Sequence, residues 1–266
     1  MVRAFQGCCT VAEQMNYFAY RTAAERYAIG RPFFHPLAIK KICAICCDGG
    51  RIDRALDVGC GTGQSTLALL EVAEEIVGVD NSGEMLSHAS HHARIRHIEA
   101  QAEQMPFGEG SFGLITVALA FHWFDRRQFL LEARRVLRPG GWLVIYNDVF
   151  SGRMIGNSNY EAWHRGQYLQ RYPTPPHNNQ PLADPDVIAY GFEASGSDEF
   201  VHEVEFTPDE LVNYLVTQSN LISAVEAGSE DLQSVVRWLL SSVHPLFSGP
   251  AKNFTFSCHI QFLRRR

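Results

Sequence analysis

The chain has no apolar run approaching the roughly 18 to 20 residues that a bilayer-spanning helix needs. Its first stretch, Met1 to Tyr20, interleaves Glu13, Gln14 and Asn16 with its apolar positions, so it lacks the unbroken core of a secretion signal. These two absences predict a cytoplasmic protein with no membrane partner. Basic charge is scarce as well. There are 23 Lys and Arg against 29 Asp and Glu, a net charge of −6, whereas a nucleic-acid surface is normally basic. The terminal Arg264-Arg265-Arg266 is short enough to be a solvated tail. The seven cysteines are an odd number in a chain of this size, which argues against a disulfide framework. Cys43, Cys46 and Cys47, with His35 nearby, fall on the inner face of a predicted helix from Leu37 to Cys47. They read as small buried hydrophobes rather than metal ligands, and no metal is expected. No internal repeat or low-complexity tract stands out.

What the chain does have is core. Of its 266 residues, 46% are hydrophobic and 20% charged, enough for a domain of ordinary size with elaborations. The organising stretch is Ala55-Leu56-Asp57-Val58-Gly59-Cys60-Gly61-Thr62-Gly63-Gln64-Ser65. It reads as a buried strand from Arg54 to Val58, a turn of small residues, and a helix beginning near Gly63. Glycines at alternating positions allow close approach of a ligand and positive φ at little cost. The following helix is expected to offer unpaired N–H groups at its start.

The identity of the ligand is argued from two acids. A dinucleotide turn would place its third glycine at Gln64, one position later than Gly63, and usually has no acid directly before the turn. Asp57 would repel a pyrophosphate, but it would suit a ligand carrying an ammonium and a sulfonium, which is S-adenosylmethionine. Glu74 to Asp80 reads as the next strand, and Asp80 at its tip can accept hydrogen bonds from both hydroxyls of a ribose. NAD uses the same device, so Asp80 alone does not separate the two cofactors.

At this point the chain resembles the class I S-adenosylmethionine-dependent methyltransferases, in particular the small-molecule type. The resemblance rests on Leu56 to Gly63, Val77-Gly78-Val79-Asp80, Gln101 to Phe107, Ser111-Phe112 through Phe121-His122-Trp123-Phe124-Asp125, and Val136-Leu137-Arg138-Pro139-Gly140-Gly141. It implies an α/β, Rossmann-like fold: a mostly parallel seven-stranded sheet with helices on both faces, an N-terminal lid and an insertion after the fifth strand. The implied organisation is a helical lid over residues 1–36, a cofactor-binding core over 37–149, and a substrate cap with the final strands over 150–266.

The same resemblance supplies further site residues. Gly59, Cys60, Gly61 and Gly63 form the cofactor turn. Arg31 meets the methionine carboxylate and Tyr27 packs on the cofactor, the alternative being that these lid residues only anchor a helix. Asn81 and Met85 flank the adenine, as do Gln101, where the family usually has an acid, and the backbones of Ala102 and Glu103. Ala118 ends the strand that faces the transferable methyl. Gly113 stands where the family usually has an acid, which is expected to have a structural effect only.

The remaining elements follow from pattern. Ser82 is the expected N-cap of a helix to about His92, with His88, His91 and His92 on a solvated face. Ile95 to Ala100, Leu114 to Ala118 and Trp142 to Tyr146 read as strands, with a helix capped by Asp125 before the last. Residues 152–186 hold Pro173, Pro175, Pro176, Pro181 and Pro185 among many aromatics, a stretch long enough to be functional. Phe200 to Phe206 reads as a strand. Thr207-Pro208-Asp209-Glu210 is a capping box for a helix to about Gln218. Another helix follows from Ser229 to Val243, then a last strand from Lys252 to Leu263, antiparallel by resemblance.

Two functions stay open. One is methyl transfer to a small organic acceptor, a carboxylate or hydroxyl, by a monomer or homodimer. The block His122 to Asp125 resembles that of enzymes methylating carboxylates such as trans-aconitate, and similar cores occur in quinone-pathway enzymes. His122 has the pKa and position of a general base, or else a structural role beside Trp123. The other is a non-catalytic S-adenosylmethionine-binding regulatory or scaffold protein.

Overall fold

The structure, a computed structural model, describes residues 21–175, 182 and 184–266. The aromatic run Tyr17 to Tyr20 and most of the expected lid lie outside the described residues. The first described helix is α1 (Arg21–Gly30). It is followed by α2 (His35–Cys46), which starts with Pro36 in its first turn, where a missing N–H costs nothing.

The sheet then builds outward from its centre. In chain order come β1 (Ile52–Val58), α3 (Gln64–Ala68), β2 (Ala73–Asp80), α4 (Gly83–Ser87), β3 (Ile95–Glu99), β4 (Phe112–Ala118), α5 (Arg126–Val136) and β5 (Leu137–Met154). The latter half adds α6 (Ser158–Trp163), a π-helical turn (His164–Tyr168), α7 (Leu169–Arg171), α8 (Asp184–Ala189), β6 (Phe192–Phe206), α9 (Pro208–Leu215), α10 (Ser219–Glu226), α11 (Leu232–Val243) and β7 (Lys252–Arg265). Strand order is β3-β2-β1-β4-β5-β7-β6. The first five strands pair parallel, whereas β7 runs antiparallel to both β5 and β6. This is the Rossmann-like class I methyltransferase architecture.

The two-residue period of a strand explains the layers. Leu56, Val58, Val77, Val79, Ile115 and Val117 point to one face and meet Phe129, Leu130, Ala133 and Val136 of α5. Ala55, Ile76, Leu114 and Val144 point to the other face and meet Ala38, Ile39 and Ile42 of α2. Every residue of β4 is buried, as a central parallel strand requires. A third core lies beyond the carboxyl ends of the strands. There Tyr160, Trp163, Leu211, Leu215 and Leu239 pack on Phe206, Phe254 and Phe256 from the far halves of β6 and β7.

Several elements differ from the sequence expectation. Ser82 does cap α4, its Oγ accepting from Met85 N across 3.2 Å, but the helix stops at Ser87. Ser87 Oγ donates to Glu84 O (2.8 Å), a local bond that competes with helix propagation. His88, His91 and His92 are therefore exposed loop residues rather than one helix face. Among the described residues no group of His, Cys, Asp or Glu could hold a metal. Cys46 and Cys47 are buried, but Cys43 faces solvent. A separate helix, α10, lies between the two helices expected in the last third. At Gly113 the missing side chain leaves room for Arg138: a Cβ there would stand 2.9 Å from the guanidinium carbon, which pairs with Asp53 (3.3 Å). Among the described residues no helix is long and apolar enough to cross a membrane.

Candidate active site

The carboxyl ends of β1, β2 and β4 open on a cavity of about 330 Å³. Its floor is the glycine turn after β1. Gly59 N and Cys60 N both donate to Val79 O (2.8 and 3.0 Å), which ties the turn to the tip of β2. Gly59, Gly61 and Gly63 all have left-handed φ, at +71°, +54° and +77°. Close packing adds to the need for glycine at the first. A Cβ on Gly59 would lie 2.4 Å from Ala120 Cβ, and one on Gly61 would lie 3.0 Å from Met85 Cε. Gly63 faces away from the cavity, toward His97 and Ala89, and acts as the left-handed N-cap of α3. With only five residues, α3 contributes a tight turn rather than a strong dipole.

Asp80 is placed as the sequence suggests, at the tip of β2 and lining the cavity. Its Oδ2 accepts from Gly61 N (2.8 Å) and its Oδ1 from Ser82 N (2.9 Å). Burial raises its pKa, and the backbone donors pull against that rise. Each carboxylate oxygen keeps a second lone pair for a ligand hydroxyl. Asn81, Met85, Gln101, Ala102, Glu103, Ala118 and Cys60 line the same cavity. Burial raises the Cys60 thiol well above its ordinary pKa, so it serves as a small wall rather than a nucleophile.

Asp57 is the principal correction. It does not line the cavity: it is fully buried behind the turn. Its Oδ2 accepts from Ser65 Oγ (2.6 Å) and Thr66 Oγ1 (2.7 Å), and its Oδ1 from Thr116 Oγ1 (3.0 Å). Burial lifts its pKa to about 6 against these three donors. Three hydroxyls thus occupy a carboxylate that the sequence reading assigned to the cofactor's ammonium. It fastens β1, α3 and β4 together at the site's base.

Arg31 and His122 also stand outside this first cavity. Arg31 Nη2 donates to Thr217 O (3.0 Å), and the guanidinium lies 4.7 Å from the ring of Tyr27 and 5.4 Å from that of Tyr214. Arg31 lines a narrow gap next to the first cavity, and Tyr27 lines both spaces. His122 lines a second, larger cavity of about 1060 Å³, with its ring 4.6 Å from that of Trp123. Tyr27, Leu119 and Trp123 are common to the first and second cavities, which therefore meet at the tip of β4. Leu119 holds that corner with φ of +58°, costly for a branched side chain and secured by its N–H bond to Tyr146 O (3.0 Å).

Some cavity residues carry no sequence signal of their own. His35 lines the first cavity from α2 and sits 3.0 Å from Tyr146 Oη. Burial lowers its pKa to about 3, so it is a neutral hydrogen-bonding group. Gln64, Ser65, Ala120 and Phe124 complete the wall. Gln64 and Ser65 close the organising stretch and Ala120 and Phe124 lie in the block from Ser111 to Asp125, so the sequence had marked their segments without giving these residues a role.

The donor set fits S-adenosylmethionine. A half-buried carboxylate stands ready for the ribose, Gln101 to Glu103 for the adenine edge, and Met85 for an apolar ring face. The turn brings Gly59 and Gly61 to the cavity wall beside the small side chains of Cys60 and Thr62.

Comparison with known proteins agrees. Residues 56–145 match the family model described as a methyltransferase domain. The chain is 28% identical over 240 residues to an uncharacterized methyltransferase of Mycobacterium tuberculosis, covering 87% of this chain and 88% of that protein. It is 41% identical over 100 residues to demethylmenaquinone methyltransferase of Thermus thermophilus, covering 35% of this chain and 46% of that one. Among solved structures, a provisionally assigned type II methyltransferase from Anaeromyxobacter dehalogenans superposes with a TM-score of 0.68 at 22% identity, over 89% of this chain and 97% of that one. That last likeness concerns the fold.

Proposed function

We propose that the chain, whose residues 56–145 match a methyltransferase domain and whose fold is that of the class I S-adenosylmethionine-dependent methyltransferases, methylates a small organic acceptor bearing a hydroxyl or a carboxylate. The observation that carries this reading is the cavity of about 1060 Å³ that meets the cofactor cavity at Leu119. Its size is that of a small-molecule site, and aromatic side chains such as Phe150, Tyr168 and Tyr214 line it. A macromolecular substrate would instead favour an open face.

Bound S-adenosylmethionine supplies an electrophilic methyl group on a sulfonium. The residues of the chain then have to align and enclose. Asp80 and the glycine turn hold one side of the site, while Leu119 and Trp123 bound the junction between the cavities. Phe150 and Tyr214 keep water from the acceptor. Such alignment in a dry cavity can lower the barrier by about 7 to 11 kcal/mol through effective molarity. The cap over residues 150–266 is read as the acceptor roof and residues 1–36 as the lid. The odd cysteine count and the apolar burial of Cys46, Cys47, Cys60 and Cys258 support a cytoplasmic setting.

The test is calorimetric titration of the purified chain with S-adenosylmethionine and, separately, NAD, followed by transfer of labelled methyl to small carboxylates and phenols. Micromolar binding of the first cofactor alone, with transfer to a small acceptor, is expected. Binding without transfer to any small molecule would leave the regulatory alternative standing.

A further inference from the structure

Asp148 sits near the carboxyl end of β5 with its side chain only 3% exposed. Its Oδ1 lies 2.8 Å from His202 Nε2. The two residues reach toward each other across β7, where Asp148 pairs with Cys258 and His202 with Phe256. The imidazole is clamped between two rings: Phe34 at 6.0 Å and 16°, and Phe256 at 5.5 Å and 24°. A carboxylate held this firmly by an immobilised histidine is a costly arrangement to bury.

The position of the pair is informative. Asp148 lines both the narrow gap beside Arg31 and the large acceptor cavity, and Tyr27 and Leu119 line these two spaces as well as the cofactor cavity. It is the one carboxylate among the described residues that line the gap. Around it stand Arg31 just past α1, His35 from α2, Tyr214 from α9, Cys258 from β7 and His202 from β6. Burial raises the pKa of Tyr214 and pushes the Cys258 thiol up to about 12, so both stay protonated. His35 is neutral. Asp198 and Glu199 also line the large cavity, but Asp198 pairs with Lys41 (2.9 Å) and Glu199 with His259 (3.6 Å), so Asp148 is the carboxylate that the gap and the large cavity share.

We propose that Asp148, positioned by His202, takes the proton of the methyl acceptor, and that the acceptor atom is accordingly a protic group, a hydroxyl or an amine, and not a carboxylate. In the transfer, a lone pair on the acceptor atom forms the bond to the methyl carbon. The carbon–sulfur bond breaks with its electron pair going to sulfur, which becomes a neutral thioether. The proton leaves the acceptor atom for the Asp148 carboxylate, and the imidazole of His202 steadies the result. A carboxylate acceptor has no such proton to give, and it would bring a second carboxylate against Asp148. His202 is a positioning residue, since it lines none of the three spaces.

This inference rests on the small-acceptor reading above and narrows it. The intact chain is incubated with methyl-labelled S-adenosylmethionine and a deproteinised metabolite extract of the source organism, and the products are treated with mild base. Methyl esters release volatile labelled methanol, while ethers and N-methyl products keep the label. The wild-type label is expected to be base-stable. Asp148→Asn should slow its formation at least 100-fold while calorimetry shows methyl-donor affinity within twofold. His202→Gln should lower kcat by about tenfold and move the acidic limb of the pH profile, with KM little changed.

Release of the label by base overturns the proposal, whatever the variants do. So does wild-type turnover by Asp148→Asn. If that variant fails to bind the methyl donor, Asp148→Ser and the wild-type base treatment decide. Donor binding with no labelled product from any small molecule would remove the small-acceptor reading itself, and this inference with it.

Discussion

Gly61 N donates to Asp80 Oδ2 across 2.8 Å, so the carboxylate at the tip of β2 is built into the glycine turn after β1. Ligand contact and turn geometry are therefore one interaction. Asp80→Ala should remove both and weaken S-adenosylmethionine binding by about 1 to 3 kcal/mol, the worth of hydrogen bonds to a charged group. Calorimetry gives the number, and unchanged affinity would dismiss Asp80 as a cofactor residue.

The turn makes a second expectation about backbone and space. Gly49 and Gly59 both have left-handed φ, at +79° and +71°. A Cβ on Gly49 meets nothing within 4 Å, whereas one on Gly59 meets Ala120 at 2.4 Å. Gly49→Ala should cost about 1 kcal/mol from conformation alone. Gly59→Ala should cost a further 1 to 3 kcal/mol or so from overpacking, and should lose cofactor affinity as well. Denaturant unfolding of the two variants side by side checks the difference.

Asp57 makes stability depend on pH in an unusual direction. Its pKa is about 6 in the fold against an ordinary 3.8. Between those values the folded chain holds a proton that the unfolded chain has released, so this group's contribution falls as pH rises from about 4 to about 6 and is level above that. The span is on the order of 3 kcal/mol. Asp57→Asn should flatten this part of the stability curve relative to the wild type. Parallel curves for the two proteins in thermal or denaturant unfolding would show that Asp57 is already ionised at pH 4.

The N-terminal helix is tied down by a nearly buried ion pair. Arg26 Nη2 lies 2.9 Å from Glu226 Oε1 of α10, with side-chain exposures of 11% and 10%. Arg26→Ala should cost about 3 kcal/mol, mostly because the Glu226 charge is left with only the Thr22 hydroxyl (2.8 Å). The double replacement of Arg26 and Glu226 by Ala should recover part of that loss in a mutant cycle, whereas simple additivity would show the pair to be uncoupled.

The sequence made some of this legible and hid the rest for physical reasons. Leu114 to Ala118 announced a central strand because burial on both faces demands an unbroken apolar run. Thr207 to Glu210 announced the start of a helix because the cap is local, and both of its hydrogen bonds are present. Asp57 was misread because what satisfies it is partly remote: Thr116 lies on another strand, and only the fold brings its hydroxyl to the carboxylate. Asp148 gave no signal for the same reason, its partner His202 being 54 positions away in sequence. The end of α4 depended on Ser87 bonding back to Glu84, a choice that propensity alone does not make.

One feature of the sheet governs how the protein comes apart. The strands β5, β6 and β7 run on past the cofactor end, so Phe254 and Phe256 of one continuous strand pack in the cap while Ile260 and Phe262 of the same strand pack in the main core. No hinge separates the roof from the floor along these strands. Heat or denaturant should therefore melt the two cores as a single cooperative unit, with one midpoint whether the probe is Trp163 in the cap or Trp142 in the sheet.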